Sequence, residues 1–170
     1  MSLIFKDTVE DIIVFYMKKI LFVCLGNICR SPAAEAVMKS KLRKAGREAE
    51  FYVDSAGIYG GHSGACPDAR MRKHAAKRGY ELEHRARQFY ASADFGEFDI
   101  IIGMDRQNIA DLKRLAVTDE ERAKIHAMTD FCRENTVYRE VPDPYYEGPD
   151  GFELVLDLLE DAVEGLIEKQ

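Results

Sequence analysis

The sequence predicts an α/β fold: a single three-layer domain with a four-stranded parallel sheet and helices on both faces. Three observations carry this. Short, nearly continuous apolar runs at residues 20–23 and 98–102 read as strands buried on both faces. Stretches with apolar residues at helical spacing lie between and after them, so strands alternate with helices along the chain. The 170 residues, 46% hydrophobic and 32% charged, suffice for one sizeable core and require no second domain.

Taken in order, Met1-Ser2-Leu3 reads as an expression remnant, and residues 1–16 as an N-terminal extension to a domain spanning 17–170. Phe5, Val9, Ile12, Ile13 and Tyr16 recur at helical spacing. They predict a short amphipathic helix lying on the domain or on a second copy, as in a weak homodimer. The strand at 20–23 leads into a loop and then a helix over 32–44, with Ser31 as cap, Pro32 as first helical residue and Gly46 beyond the end. Residues 51–53 form a second strand ending at Asp54-Ser55-Ala56-Gly57, and 58–65 form a glycine-rich loop. Pro67-Asp68 opens a basic helix running towards Arg78 and closed by Gly79. After the strand at 98–102, Asp105 caps a helix through about Leu115. Residues 125–128 are the fourth strand, followed by a long polar loop to Tyr146. Phe152, Val155, Leu159, Ala162, Val163 and Leu166 then stripe a final helix.

A net charge of −6 argues against nucleic acid as the main partner, so an anionic substrate must be caught locally. Four cysteines, no signal peptide and no apolar run long enough to span a bilayer point to a reducing cytoplasm. Cys24 and Cys29 have no paired Cys or His cluster downstream, so neither a metal nor another cofactor is expected.

The chemistry concentrates in Cys24-Leu25-Gly26-Asn27-Ile28-Cys29-Arg30-Ser31. A strand that ends in a tight loop and turns straight into a helix aims several backbone N–H groups at one spot, with the positive helix end behind them. An oxyanion such as phosphate or sulfate belongs there. The same field favours a thiolate at Cys24, which makes it a nucleophile. Gly26 and Asn27 supply corners expected at positive φ. Spacing alone does not decide this, because Cys66 and Arg72 repeat Cys-x5-Arg. Their loop holds Pro67 and Asp68, which remove a donor and add a negative charge, so Cys66 reads as an ordinary thiol.

The run 23–36 resembles the signature of the low-molecular-weight protein tyrosine phosphatases. It is joined in that family's order by Asp54-Ser55-Ala56-Gly57, Pro67-Asp68, His84-Arg85-Ala86-Arg87-Gln88, Met104-Asp105 and Asp143-Pro144-Tyr145-Tyr146. The resemblance runs from about Lys18 to the C-terminus. It implies a phosphotyrosine protein or peptide as substrate and a phosphocysteine on Cys24. Arg30 would clamp the phosphate through its planar fork, and Ser31 would hydrogen-bond the sulfur. Asp143, restricted by Pro142 and Pro144, would be the general acid and then the base for water. Leu25, Gly26, Asn27, Ile28 and Cys29 would complete the loop around the phosphate. Asn27, Ser55 and His84 would hold its shape. Tyr145 and Tyr146 would wall a slot for a flat aryl ring, with Tyr59 and His62 as candidates for the opposite wall. Asp68 and Asp105 read as helix caps or loop anchors. The resemblance also suggests a reversible Cys24–Cys29 disulfide under peroxide.

Three rival readings have residue-level tests. Arsenate reductases share the fold and loop but need two relay cysteines, and only Cys66 and Cys132 remain, far apart in sequence. Phosphoarginine phosphatases of this fold usually carry Thr where Ile28 stands and Phe where Tyr145 stands. A phosphopeptide-binding module is expected to have lost Cys24 or Asp143, and both are present.

Overall fold

The computed structural model describes residues 16–145 and 148–170. The helix expected within the extension, apart from Tyr16, and Tyr146 lie outside them. Four strands, β1 (Lys18–Cys24), β2 (Phe51–Gly57), β3 (Ile100–Gly103) and β4 (Ile125–Ala127), form one sheet in the order β2-β1-β3-β4. Every neighbouring pair is parallel, with Cys24 in register with Gly57 and Val23 with Gly103. The chain leaves β1 for one side of the sheet and later returns to its other side. The order therefore reverses between β1 and β3, the place where sheets of this kind bind ligands.

Helices α1 (Arg30–Lys44), α2 (Ala69–Lys77), α3 (Ala91–Glu97), α4 (Arg106–Leu115), α5 (Asp119–Ala123) and α6 (Pro149–Lys169) complete the described elements, with short 3₁₀ turns at Glu48–Glu50 and Met128–Phe131. The alternation of β1 divides the core. Ile20, Phe22 and Cys24 face a cluster shared with Val37 and Met38 of α1 and Leu159 and Val163 of α6. Leu21 and Val23 face Phe95, Phe98, Leu112 and Ile125 on the opposite side. Burial of residues 20–24 of β1 between the two clusters thus explains the unbroken apolar run.

Local differences from the sequence expectation have local causes. Helix α1 starts at Arg30 with Cys29 as N-cap, two residues earlier than proline chemistry suggested, because the loop delivers the chain directly into the first turn. The third strand begins at Ile100, because Phe98 closes α3 and Asp99 is occupied in pinning the chain that enters β1. Its carboxylate accepts from the Lys19 backbone N–H at 2.8 Å and from the Tyr16 hydroxyl. Asp68 and Asp105 are N-caps of α2 and α4, as expected, and Gly46 follows α1 at φ +67°.

Candidate active site

The loop between β1 and α1 gets its shape from bonds to its carbonyls. The Cys24 carbonyl accepts from Ile58 N–H at 3.0 Å, Leu25 from Tyr59 at 2.8 Å and Ile28 from Asp68 at 2.6 Å. In a trans peptide the N–H points opposite to the C=O, so the N–H groups of Leu25, Gly26 and Cys29 turn away from those partners, towards the loop's interior. Gly57 is required for this packing. A Cβ there would stand 2.9 Å from Asn27 N, Gly26 C and Leu25 O.

Among the non-glycine described residues Asn27 alone has a positive φ, 55°. Gly26 is not left-handed. Its lack of a side chain instead admits the His62 ring, whose Cδ2 would lie 2.9 Å from a Cβ. The Asn27 side chain is fully used. Its Oδ1 accepts from the Arg87 backbone N–H at 2.9 Å and faces His84 Nε2 at 2.9 Å, and its Nδ2 donates to Ser31 Oγ at 2.8 Å and Ser55 Oγ at 3.0 Å. A backbone N–H can only donate, so the amide orientation is fixed. The directions then propagate. Ser55, having accepted, donates to Glu35 Oε2 at 2.6 Å. Ser31, having accepted, has its proton free for Cys24 Sγ at 3.0 Å, closer than the Ala56 carbonyl at 3.4 Å.

Behind this lies a charged layer. Glu35, buried on α1, meets Lys39 Nζ at 2.6 Å and His84 Nδ1 at 3.1 Å. Burial opposes its charge, but His84, Lys39 and Ser55 outweigh that and hold its pKa below the 4.5 of a free glutamate. Arg30 is 2% exposed. Its Nη1 donates to Asp105 Oδ2 at 2.6 Å and to the Val141 carbonyl at 3.1 Å, and its Nη2 lies 3.6 Å from Asp143 Oδ2. Burial again works against the charge, and Cys24, Asp105 and Asp143 raise the guanidinium's pKa nonetheless. Cys29 is different. Burial, reinforced by the neighbouring Cys24, Asp68 and Asp143, pushes its thiol far up, so it is held neutral.

A cleft of about 290 Å³ opens over the loop. It is lined by Cys24, Leu25, Gly26, Ile28, Cys29 and Arg30, by Tyr59 and His62, and by Asp143 and Tyr145. Tyr59 and His62, the candidates for the second wall, both line the cleft and meet edge to face at 5.8 Å. Asp143 Oδ1 accepts from Tyr145 N–H at 3.0 Å, a local turn that fixes the carboxylate at the cleft mouth. A second cleft of similar size, about 300 Å³, lies between α1 and residues 79–84 and has Glu35 and His84 in its wall but no cysteine. The sequence-predicted residues Cys24, Arg30, Asp143 and Tyr145 are thus brought together. Ser55 and His84 stand behind the loop, where Glu35 joins them without having been foreseen.

The sequence profile of the low molecular weight phosphotyrosine protein phosphatases matches residues 19–170. The chain belongs to this family. A low molecular weight protein-tyrosine-phosphatase of Streptomyces coelicolor is 41% identical over 152 residues, covering 88% of this chain and 91% of that protein. A crystal structure of a protein tyrosine phosphatase from Entamoeba histolytica superposes with a TM-score of 0.85 at 47% identity, covering 89% of this chain and 96% of that one. A Drosophila arginine phosphatase superposes with a TM-score of 0.81 at 32% identity, over 89% of this chain and 96% of the other. The relatives at 41% and 47% identity are named protein tyrosine phosphatases, and by membership of the family this chain is a low molecular weight protein-tyrosine-phosphatase. No described helix is long and apolar enough to cross a membrane.

Proposed function

We propose that this phosphatase hydrolyses phosphotyrosine in proteins or peptides through a phosphocysteine on Cys24. The Cys24 thiolate attacks phosphorus, the bond from phosphorus to the aryl oxygen breaks, and Asp143 gives its proton to the departing phenolate. Water then attacks the phosphocysteine, Asp143 takes its proton back, the P–S bond breaks, and inorganic phosphate leaves with the thiolate restored. Arg30, a buried fork already aligned by Asp105 and the Val141 carbonyl, follows the equatorial oxygens through both steps. Ser31 donates to the sulfur whenever it carries charge. One observation carries the reading: Cys24, Arg30 and Asp143 border a single cleft, with the Ser31 hydroxyl turned to the sulfur. Leu25, Tyr59, His62 and Tyr145 give that cleft walls suited to an aryl ring.

The two variants that test it separate nucleophile from acid. Cys24→Ser is expected to abolish turnover of a phosphotyrosine peptide. Asp143→Ala is expected to lower kcat/KM by about 10²–10⁴-fold on phenyl phosphate and far less on 4-nitrophenyl phosphate, whose phenolate leaves without help. Equal losses on both substrates would remove Asp143 from the role of acid.

The arginine phosphatase likeness makes phosphoarginine the competing substrate. Ile28 lines the cleft and offers no acceptor for the extra N–H donors of a phosphorylated guanidinium, which favours the aryl ester. A direct comparison of phosphotyrosine and phosphoarginine peptides decides between them, and faster release of phosphate from phosphoarginine would reverse the assignment.

A further inference from the structure

The Tyr145 N–H orients the Asp143 carboxylate and Arg30 Nη2 lies 3.6 Å from it, but the segment that carries this exposed residue is irregular, and its backbone needs an anchor of its own. Arg70, in the first turn of α2, touches both the segment that carries Asp143 and the residue that holds the Cys24 loop. Its Nη1 donates to the Tyr145 carbonyl at 3.0 Å, two residues beyond Asp143. Its guanidinium lies 5.2 Å from the Tyr145 ring centroid and 5.0 Å from that of Phe152 on α6. Its Nε and Nη2 grip the two Asp68 oxygens at 3.2 and 3.0 Å. The Asp68 backbone N–H in turn donates to the Ile28 carbonyl of the nucleophile loop at 2.6 Å.

We propose that Arg70 is a positioning residue that sets the spacing between the Cys24 loop and the Asp143 segment. It does so through a continuous path, from Ile28 through Asp68 and Arg70 to Tyr145. This rests on the reading of Asp143 as general acid. The planar fork suits the task because three separate directions are used at once: two carboxylate oxygens, one carbonyl, and two ring faces. An ammonium cannot hold all three. Arg70 is not among the residues that line the cleft, so its effect must pass through Asp143 and Tyr145.

The test measures kcat/KM across phenyl phosphates of graded leaving-group ability for Arg70→Ala, Arg70→Lys, Asp143→Ala and the Arg70→Ala/Asp143→Ala double variant. Each protein is checked for an unchanged cooperative melt. Misplacing a proton donor by a fraction of an ångström is expected to cost Arg70→Ala about tenfold on phenyl phosphate, with little loss on 4-nitrophenyl phosphate. Arg70→Lys should remain impaired in the same pattern. In the Asp143→Ala background, removing Arg70 should cost almost nothing more, since nothing is left to position. A loss equal on all leaving groups, or one that adds fully to that of Asp143→Ala, overturns the proposal while leaving the acid assignment intact. An Asp143→Ala variant without leaving-group dependence removes the acid assignment and this proposal together.

Discussion

Asn27 shows how much one side chain carries. Its backbone sits at φ 55°, a region Asn tolerates better than most residues, and its amide spends all its hydrogen-bonding capacity on four partners. Asn27→Ala should therefore lower turnover well beyond its stability cost of about 1–3 kcal/mol, measured by steady-state kinetics beside denaturant melts. Glu35, tied to the same network, makes a pH prediction. Its folded pKa lies below the 4.5 of the free side chain. Its contribution to stability is thus complete above that value and disappears as pH falls through the lower folded value. Melts across this acid range should slope less for Glu35→Gln than for the parent. Cys24 is legible from its strand–loop–helix setting, and Arg30, Ser31 and Asp143 from the family resemblance, since the bare Cys-x5-Arg spacing recurs at Cys66 and Arg72. The grip of Asp105 on Arg30 is not legible, since it joins residues 75 positions apart and no local pattern encodes such a meeting.

At the scale of elements, burial decided what could be read. Strand β1 and helix α6 announce themselves through long apolar patterns, and both are packed as those patterns require. Helix α3 was missed because its seven residues bury only Asp94 and Phe95, leaving no periodic stripe. Helix α5 buries nothing, and its one signal is the capping box of Thr118 with Glu121. Close packing makes a sharper prediction in α6. Gly165 lies against the Phe131 carbonyl, where an added methyl group would overlap the backbone oxygen. Alanine gains about 1 kcal/mol of helix propensity over glycine. Overpacking against immovable backbone costs about 1–3 kcal/mol, so Gly165→Ala should lower the melting temperature despite that gain.

Over the whole molecule, two half-cores on either side of β1 brace one loop at the sheet's carboxyl edge. An anion bound there stabilises the entire fold, by about 2.7 kcal/mol at a hundred times its Kd. Inorganic phosphate should therefore raise the melting temperature of the parent and of Cys24→Ser. It should do so much less for Arg30→Ala, which a thermal shift titration would read directly. The opposite edge of the sheet has its own consequence. Asp99 fastens Tyr16 and Lys19 where the chain enters β1, and seven residues of extended strand, roughly 20 Å, separate that point from Cys24. A group joined directly to Tyr16 would attach at the rear of the catalyst. In a chain shortened to begin at Tyr16, a tether there to a bead, a surface or a scaffold would leave the mouth facing open solution, so the immobilised enzyme should keep its rate on bulky phosphoproteins.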